Sequence, residues 1–244
     1  MNERRMPDGT TLAEELINAM GRIGRLGVVY PAGYSDTIIK KYTLETVPYP
    51  YIVMHIGDPR IRRHFFYREL LIKPGEFLDY GCGTGDTIRQ LIRDGYPADR
   101  INGFDVNDGS LRLGYDLYLD KDEIERLVTV APAFSCPPER YGFVYSGSVI
   151  HVLGEEKEFL DYLGKAYRTL KPGGIFFGST LGLDDKATGR GRDGPPRLMR
   201  KYELRASLWN SGFKNVRIVL EERPEPERRG LNFCLYQFSA EKGE

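Results

Sequence analysis

From Lys73 onward the chain alternates between short apolar runs and amphipathic runs, and this restricts the fold more than any other feature. EFLDY (76–80), INGFDV (101–106), RLVTVA (126–131), YGFVYSGS (141–148), IFFGST (175–180), NVRIVLEE (215–222) and LNFCLYQFSA (231–240) read as strands. TIRQLIRDG closed by Gly95, GSLRLGYDLYL, EEKEFLDYLGKAYRTL and KYELRASLWNSGF read as helices. In the third, Phe159, Leu163, Ala166, Tyr167 and Leu170 recur at helical spacing, and KPGG ends it. Strands separated by helices return parallel to one another. The order therefore predicts an α/β fold, a seven-stranded mainly parallel sheet with helices on both faces. The last two strands are joined only by the polar stretch RPEPERRG, which predicts an antiparallel edge strand.

Residues 1–70 have a different character, rich in Tyr, Pro and Arg with few strand signals. Thr11 to Met20 predicts a helix with Leu12, Leu16, Ile17 and Met20 on one face. Asp58-Pro59 before IRRHFFYREL predicts a second, with the acid as N-cap and Pro in the first helical position. Two parts follow: an N-terminal helical and irregular lid over 1–70, which shapes an acceptor pocket, and a ligand-binding domain over 71–244.

The 244 residues suffice for a sizeable core. Lys+Arg and Asp+Glu both number 35, which argues against a chain built to grip nucleic acid. No apolar run approaches the roughly 20 residues that span a bilayer, and MNERRMPDGT lacks the apolar core of a signal peptide. Cys82, Cys136 and Cys234 have no metal-ligand spacing and read as reduced thiols. The expectation is a cytoplasmic protein with no membrane and no metal, either monomer or homodimer.

Ligands of open α/β sheets bind beyond the carboxyl ends of the strands, and LDYGCGTGD (78–86) lies there after the first strand. A dinucleotide fingerprint, G-x-G-x-x-G, would place its third glycine at 86. That residue is Asp86, and the third glycine is Gly85. An acid suits a pyrophosphate at a helix start badly, but it tolerates a cationic amino acid tail. Asp105 ends the second strand, 20 residues after Gly85, and a carboxylate there can accept from both hydroxyls of a ribose. These features describe a ligand with a ribose, little or no phosphate, and an amino acid end.

On these residues the chain resembles the class I S-adenosylmethionine-dependent methyltransferases. Asp79, Tyr80, Gly81, Cys82, Gly83, Thr84 and Gly85 match the family's first motif, and Asp105 its ribose-binding acid. YGFVYSGSVIHVL and YRTLKPGGIFFGST match later segments, so the resemblance covers roughly residues 70–240. It implies a Rossmann-like fold and S-adenosyl-L-methionine as cofactor, with S-adenosyl-L-homocysteine as product. It also implies that Val106 and Asn107 contact the adenine or ribose edge, and that Ser146 and Gly147 face the methionine portion. Many relatives carry an acid after the third strand. Here Pro132, Ala133 and Phe134 stand there, which implies adenine held by backbone groups and by packing on Phe134. PYPYI, GYPADRINGFDV, LRLGYDLYLD and VYSGSVIHVL resemble more narrowly a group of fungal secondary-metabolite methyltransferases, some of which esterify carboxyl groups.

The expected reaction is methyl transfer to an oxygen, a carboxylate or a phenol, of an apolar small molecule. A carboxylate needs no base at neutral pH, whereas a phenol benefits from one. SGSV at the fourth strand's end lacks the Asn/Asp-Pro-Pro-aromatic signature of base amino methylators. A protein methyltransferase, or a cyclase or isomerase of the same fold that binds the cofactor without methyl transfer, is the alternative. His151, just beyond that strand, is the candidate catalytic residue, as base or as donor to the acceptor oxygen, or else packs at a helix start. Tyr30, Tyr34, Tyr49, Tyr51 and His55 are candidate substrate contacts, and His64 reads as structural. Arg60, Arg62 and Arg63 either bind a substrate carboxylate or form a solvated face. GRGRDGPPR (189–197) has the composition of a loop at the acceptor mouth.

Overall fold

Along the central strands successive side chains enter opposite cores. Leu78, Val144 and Phe176 belong to one apolar cluster, and their neighbours Phe77, Tyr145 and Phe177 to another. In this computed structural model, which describes residues 10–42, 50–184, 197–221 and 233–243, these strands form one seven-stranded sheet. Its strands are β1 (Phe77–Tyr80), β2 (Ile101–Asp105), β3 (Val128–Val130), β4 (Tyr141–Gly147), β5 (Leu170–Leu183), β6 (Phe213–Leu220) and β7 (Phe233–Lys242). The spatial order is β3-β2-β1-β4-β5-β7-β6. The first five strands are parallel, and β7 runs antiparallel to both neighbours. It lies second from that edge, with β6 outermost.

The helices are α1 (Leu12–Gly24), α2 (Tyr34–Lys41), α3 (Tyr67–Ile72), α4 (Asp86–Arg93), α5 (Asp108–Tyr118), α6 (Lys121–Ile124), α7 (Glu156–Thr169) and α8 (Lys201–Asn210). Phe159 and Leu163 of α7 and Leu204 and Leu208 of α8 pack on the face of Phe176. Leu70 of α3, Ile88 and Leu91 of α4 and Leu111 of α5 pack on the face of Phe177. Each fully buried Phe or Leu contributes about 1.5–3 kcal/mol of transfer free energy, so both faces are needed. The sheet is thus covered on both sides, as its strand–helix alternation requires.

The N-terminal part has a core of its own, in which Leu16, Ile23, Ile38, Val53 and Ile56 pack on Leu113 and Leu117 of α5. Thr11 caps α1 through a reciprocal pair with Glu14, and the helix extends past Met20 to Gly24. The single helix expected after Asp58-Pro59 is two pieces, a 3₁₀ turn over Arg60–Arg63 and then α3. His64 breaks it by leaving helical geometry, with ψ of 135°. Its buried ring binds the Gly178 carbonyl and the Phe66 amide, a tertiary gain that overrides local helix preference. Asp58 does not cap a helix; its carboxylate takes Arg63 instead. The fifth strand also begins earlier than expected, since Leu170 already pairs with Tyr141 before Gly173 turns the chain at φ 71°.

Candidate active site

The loop after β1 is bound tightly to β2. Gly81 and Cys82 donate to the Phe104 carbonyl, and Gly83 donates to Asp105 Oδ2 at 2.7 Å. Asp105 Oδ1 accepts from the Asn107 amide at 2.8 Å, so backbone donors fix the carboxylate's position. Gly81, Gly83 and Gly85 all have positive φ, which favours glycine. A Cβ on Gly81 would lie 2.4 Å from Val149, and one on Gly83 would lie 2.3 Å from Ile52. Side chains from the β4 exit and from the N-terminal part thus close over the loop.

Asp79 is 2% exposed, and its Oδ2 is buried with no hydrogen-bond partner. Burial first, then the charges of Asp105 and Asp86, pushes its carboxyl well above the usual range. A carboxylate oxygen in that state asks for a cation. Cys82 beside it is a buried thiol pushed up by burial and by the charges of Asp79 and Asp105, and so it is unreactive.

The Asp86 carboxylate is engaged by the protein itself: it accepts from the Gly57 amide at 2.7 Å, from Tyr118 at 2.5 Å and from the Thr84 hydroxyl. Three donors satisfy the acid, which is why it stands where a pyrophosphate loop would not allow one. Arg89 completes this layer, pairing with Asp120, donating to the Thr84 carbonyl and stacking on Tyr118 at 4.2 Å. Nothing in the sequence marks Arg89 apart from its neighbours on α4.

Val106, next to Asp105, is 64% exposed and leaves an apolar surface at the end of β2. Phe134 packs on Tyr80 and Phe104 with centroids 4.9 and 5.1 Å apart, while Pro132 and Ala133 are exposed. The Ser146 side chain is fully buried, and its hydroxyl is bound to Tyr162 at 2.8 Å on the face away from Asp79. At that position strand alternation leaves the backbone to meet a ligand on the face of Asp79. Gly147 makes room for the Tyr145 ring, 2.8 Å from where a Cβ would stand. Ser148, unmarked in the sequence, takes φ 64° where the chain leaves β4, a conformation rare outside glycine and clustered at functional sites.

Beyond β4 the short 3₁₀ turn Ile150–Val152 carries His151. Its Nδ1 accepts from the Leu181 amide at 3.4 Å, so the ring proton lies on Nε2. Burial, then the Arg60 charge, lowers its pKa to about 4. Arg60 in turn donates to His55 Nε2 at 2.9 Å, and burial and that arginine lower His55 to about 3. His55, Arg60 and His151 therefore meet electrostatically around one cation with two neutral rings. Arg63 pairs with Asp58 at 2.6 Å and lies 3.9 Å from Glu221.

Tyr30 and Tyr34 stack on each other and donate to the carbonyls of Leu117 and Asp116. These are carbonyls that the end of α5 leaves without helical partners. The two tyrosines tie the N-terminal part to α5. Tyr49, the Tyr51 side chain and most of 189–197 lie outside the described residues. Among the described residues no cluster of metal-ligating side chains occurs, and no helix is long and apolar enough to cross a membrane.

S-adenosylmethionine brings a positive amino end, a ribose and a purine. The orphaned oxygen of Asp79, the fixed carboxylate of Asp105 and the exposed Val106 fit these three parts in that order.

Residues 77–174 match the family model described as "Methyltransferase domain". The chain is 27% identical over 224 residues to O-methyltransferase phiE from a fungal species, covering 85% of this chain and 73% of that protein. It is 29% identical to methyltransferase trt5 of Aspergillus terreus, over 50% of this chain and 54% of that one. Over a shorter stretch, 30% of this chain and 28% of the relative, it is 40% identical to the Asnovolin E/Chermesin D methyltransferase nvfJ of Aspergillus novofumigatus. The chain thus spans about half or less of these last two relatives. The fold is shared with phosphoethanolamine N-methyltransferase 2 of Haemonchus contortus, solved with S-adenosyl-L-methionine, at TM-score 0.60 and 18% identity, over 89% of this chain and 61% of that one. It is also shared with the cyclase SpnF at TM-score 0.52 and 17% identity, over 68% and 74%.

Motif, domain match and relatives support a class I S-adenosylmethionine-dependent methyltransferase, with S-adenosylmethionine as its cofactor. The relatives reported above are fungal methyltransferases.

Proposed function

We propose that the protein methylates an oxygen of an apolar small molecule, a natural-product intermediate, and that a carboxylate suits its site better than a phenol. The observation that carries this reading is the Leu181 amide donating to His151 Nδ1. With its proton on Nε2, His151 is a hydrogen-bond donor to an acceptor oxygen and not a base. His55 Nε2 is likewise occupied by Arg60. The site then offers a cation and a donor, which suit an acceptor already ionised at neutral pH. The O-methyltransferase relative supports transfer to oxygen.

In this reading residues 71–244 bind the cofactor, and residues 1–70 form the acceptor-side lid. Asp79 would hold the amino end, Asp105 the ribose hydroxyls, and Val106, Asn107 and Phe134 the adenine edge. Gly81, Gly83 and Gly85 keep the loop in its positive-φ path. When bound, the cofactor supplies a methyl carbon activated by its sulfonium and leaves as S-adenosylhomocysteine. Arg60 would align the acceptor carboxylate, and His151 Nε2–H would fix which oxygen points at the methyl.

The test is incubation with methyl-labelled S-adenosylmethionine and a panel of apolar carboxylic acids and phenols. Labelled methyl esters with equimolar S-adenosylhomocysteine are expected. The Arg60→Gln variant should raise the acceptor KM by about 10–100-fold, as expected for losing a charged hydrogen bond. Labelled phenol ethers without esters would overturn the carboxylate reading. Product formed without S-adenosylhomocysteine would move the protein to the cyclase or isomerase class.

A further inference from the structure

We infer that Asp86 is a positioning residue that pins the arm of residues 50–60 to the cofactor loop, so that ordering the loop orders the acceptor side. The inference rests on the proposed reading only in taking Arg60 and His55 of this arm as acceptor-facing. The linkage itself stands on geometry.

The arm is held at three places. Arg22 of α1 donates to the carbonyls of Ile56 and Val53 at 2.6 and 2.7 Å, which fixes its outer side. On the inner side the Gly57 amide donates to Asp86 Oδ1, and Ile52 lies against Gly83 where a Cβ would stand. Gly57 takes φ 83° and leaves no room for a Cβ, which would lie 2.8 Å from Arg22 Cβ.

Two of the three anchors belong to the cofactor loop and its helix. Asp86 opens α4, where a carboxylate is favoured by the helix dipole. The same side chain takes the Thr84 hydroxyl from the loop and the Tyr118 hydroxyl from α5. It therefore ties the loop, α5 and the arm at one buried point, 8% exposed. His55 and Arg60 lie two residues before and three after the anchored Gly57. A ligand that stiffens residues 81–86 must stiffen them too.

Hydrogen exchange with mass readout on the full chain, with and without S-adenosylhomocysteine as probe, tests this. In the natural protein the probe should slow exchange in peptides from both 80–86 and 50–60. Asp86→Ala should raise exchange at 50–60 by about tenfold with the probe bound, the worth of one charged hydrogen bond. Asp86→Asn, which keeps an acceptor for Gly57, should restore protection. Unchanged exchange at 50–60 in Asp86→Ala would overturn the inference. Should that variant fail to fold, seen as lost protection in β1 and β4, the natural protein decides: slowing confined to 80–86 overturns it equally. No methylation is read, so an absent methyl ester with intact coupling would count against the proposed function alone.

Discussion

Arg89 and Asp120 form a two-pronged ion pair, Nε to Oδ2 and Nη2 to Oδ1, both at 2.7 Å. The guanidinium is almost wholly buried, and its third donor reaches the carbonyl of Thr84 in the glycine loop. Replacing Arg89 with Met leaves Asp120 and that carbonyl without partners. Unfolding in urea should show a loss of roughly 3–5 kcal/mol, the cost of breaking a buried pair. Calorimetry should show weaker S-adenosylhomocysteine binding, because the loop loses its support.

Gly114 sits inside α5, where helix propensity favours Ala over Gly by about 1 kcal/mol. The structure forecasts the opposite sign. A Cβ there would stand 2.1 Å from the Thr84 carbonyl oxygen, a backbone atom held by Arg89. Gly114→Ala should destabilise the protein by about 1–3 kcal/mol, as overpacking does, and a higher melting temperature would refute it.

Tyr30→Phe and Tyr34→Phe separate packing from substrate contact. Each removes one hydrogen bond to the end of α5, so each should cost about 1 kcal/mol in denaturant unfolding. The acceptor KM should stay unchanged in both. A rise in KM without loss of stability would return these residues to the acceptor pocket.

His64 supplies a pH dependence of stability. Burial lowers its pKa from 6.5 to about 4, so between those values the unfolded chain is protonated and the folded one is not. Its contribution is fully present above pH 6.5 and is lost as pH falls toward about 4, a span worth roughly 3 kcal/mol at about 1.4 kcal/mol per unit. His55 and His151 act in the same direction. Asp79, held high by burial, acts in the opposite one, so the comparison must be between variants. His64→Gln should flatten the slope of unfolding free energy against pH between 4 and 6.5. An unaltered slope would contradict the buried neutral ring.

Much of the fold was legible because it is written locally. The strands at Leu78, Phe104 and Val144 are short apolar runs between turn signals, and their helices carry an apolar stripe. The glycine spacing at 81, 83 and 85 and the acid at 105 were legible for the same reason: each position meets a backbone demand within a few residues. The protein partners of Asp86, Tyr30 and Tyr34 were not legible, since Gly57, Leu117 and Asp116 lie 29 to 87 residues away in sequence.

The sequence by itself determined the parallel sheet and the glycine loop, because periodicity and glycine placement act over single turns, and the methyl donor followed from its resemblance to the family. Only the tertiary structure decided that β7 lies between β5 and β6, that the Ser146 hydroxyl meets Tyr162, and that His151 Nδ1 accepts from the Leu181 amide. Each depends on a partner brought close by folding, and no local pattern encodes which buried donor a carboxylate or imidazole will meet.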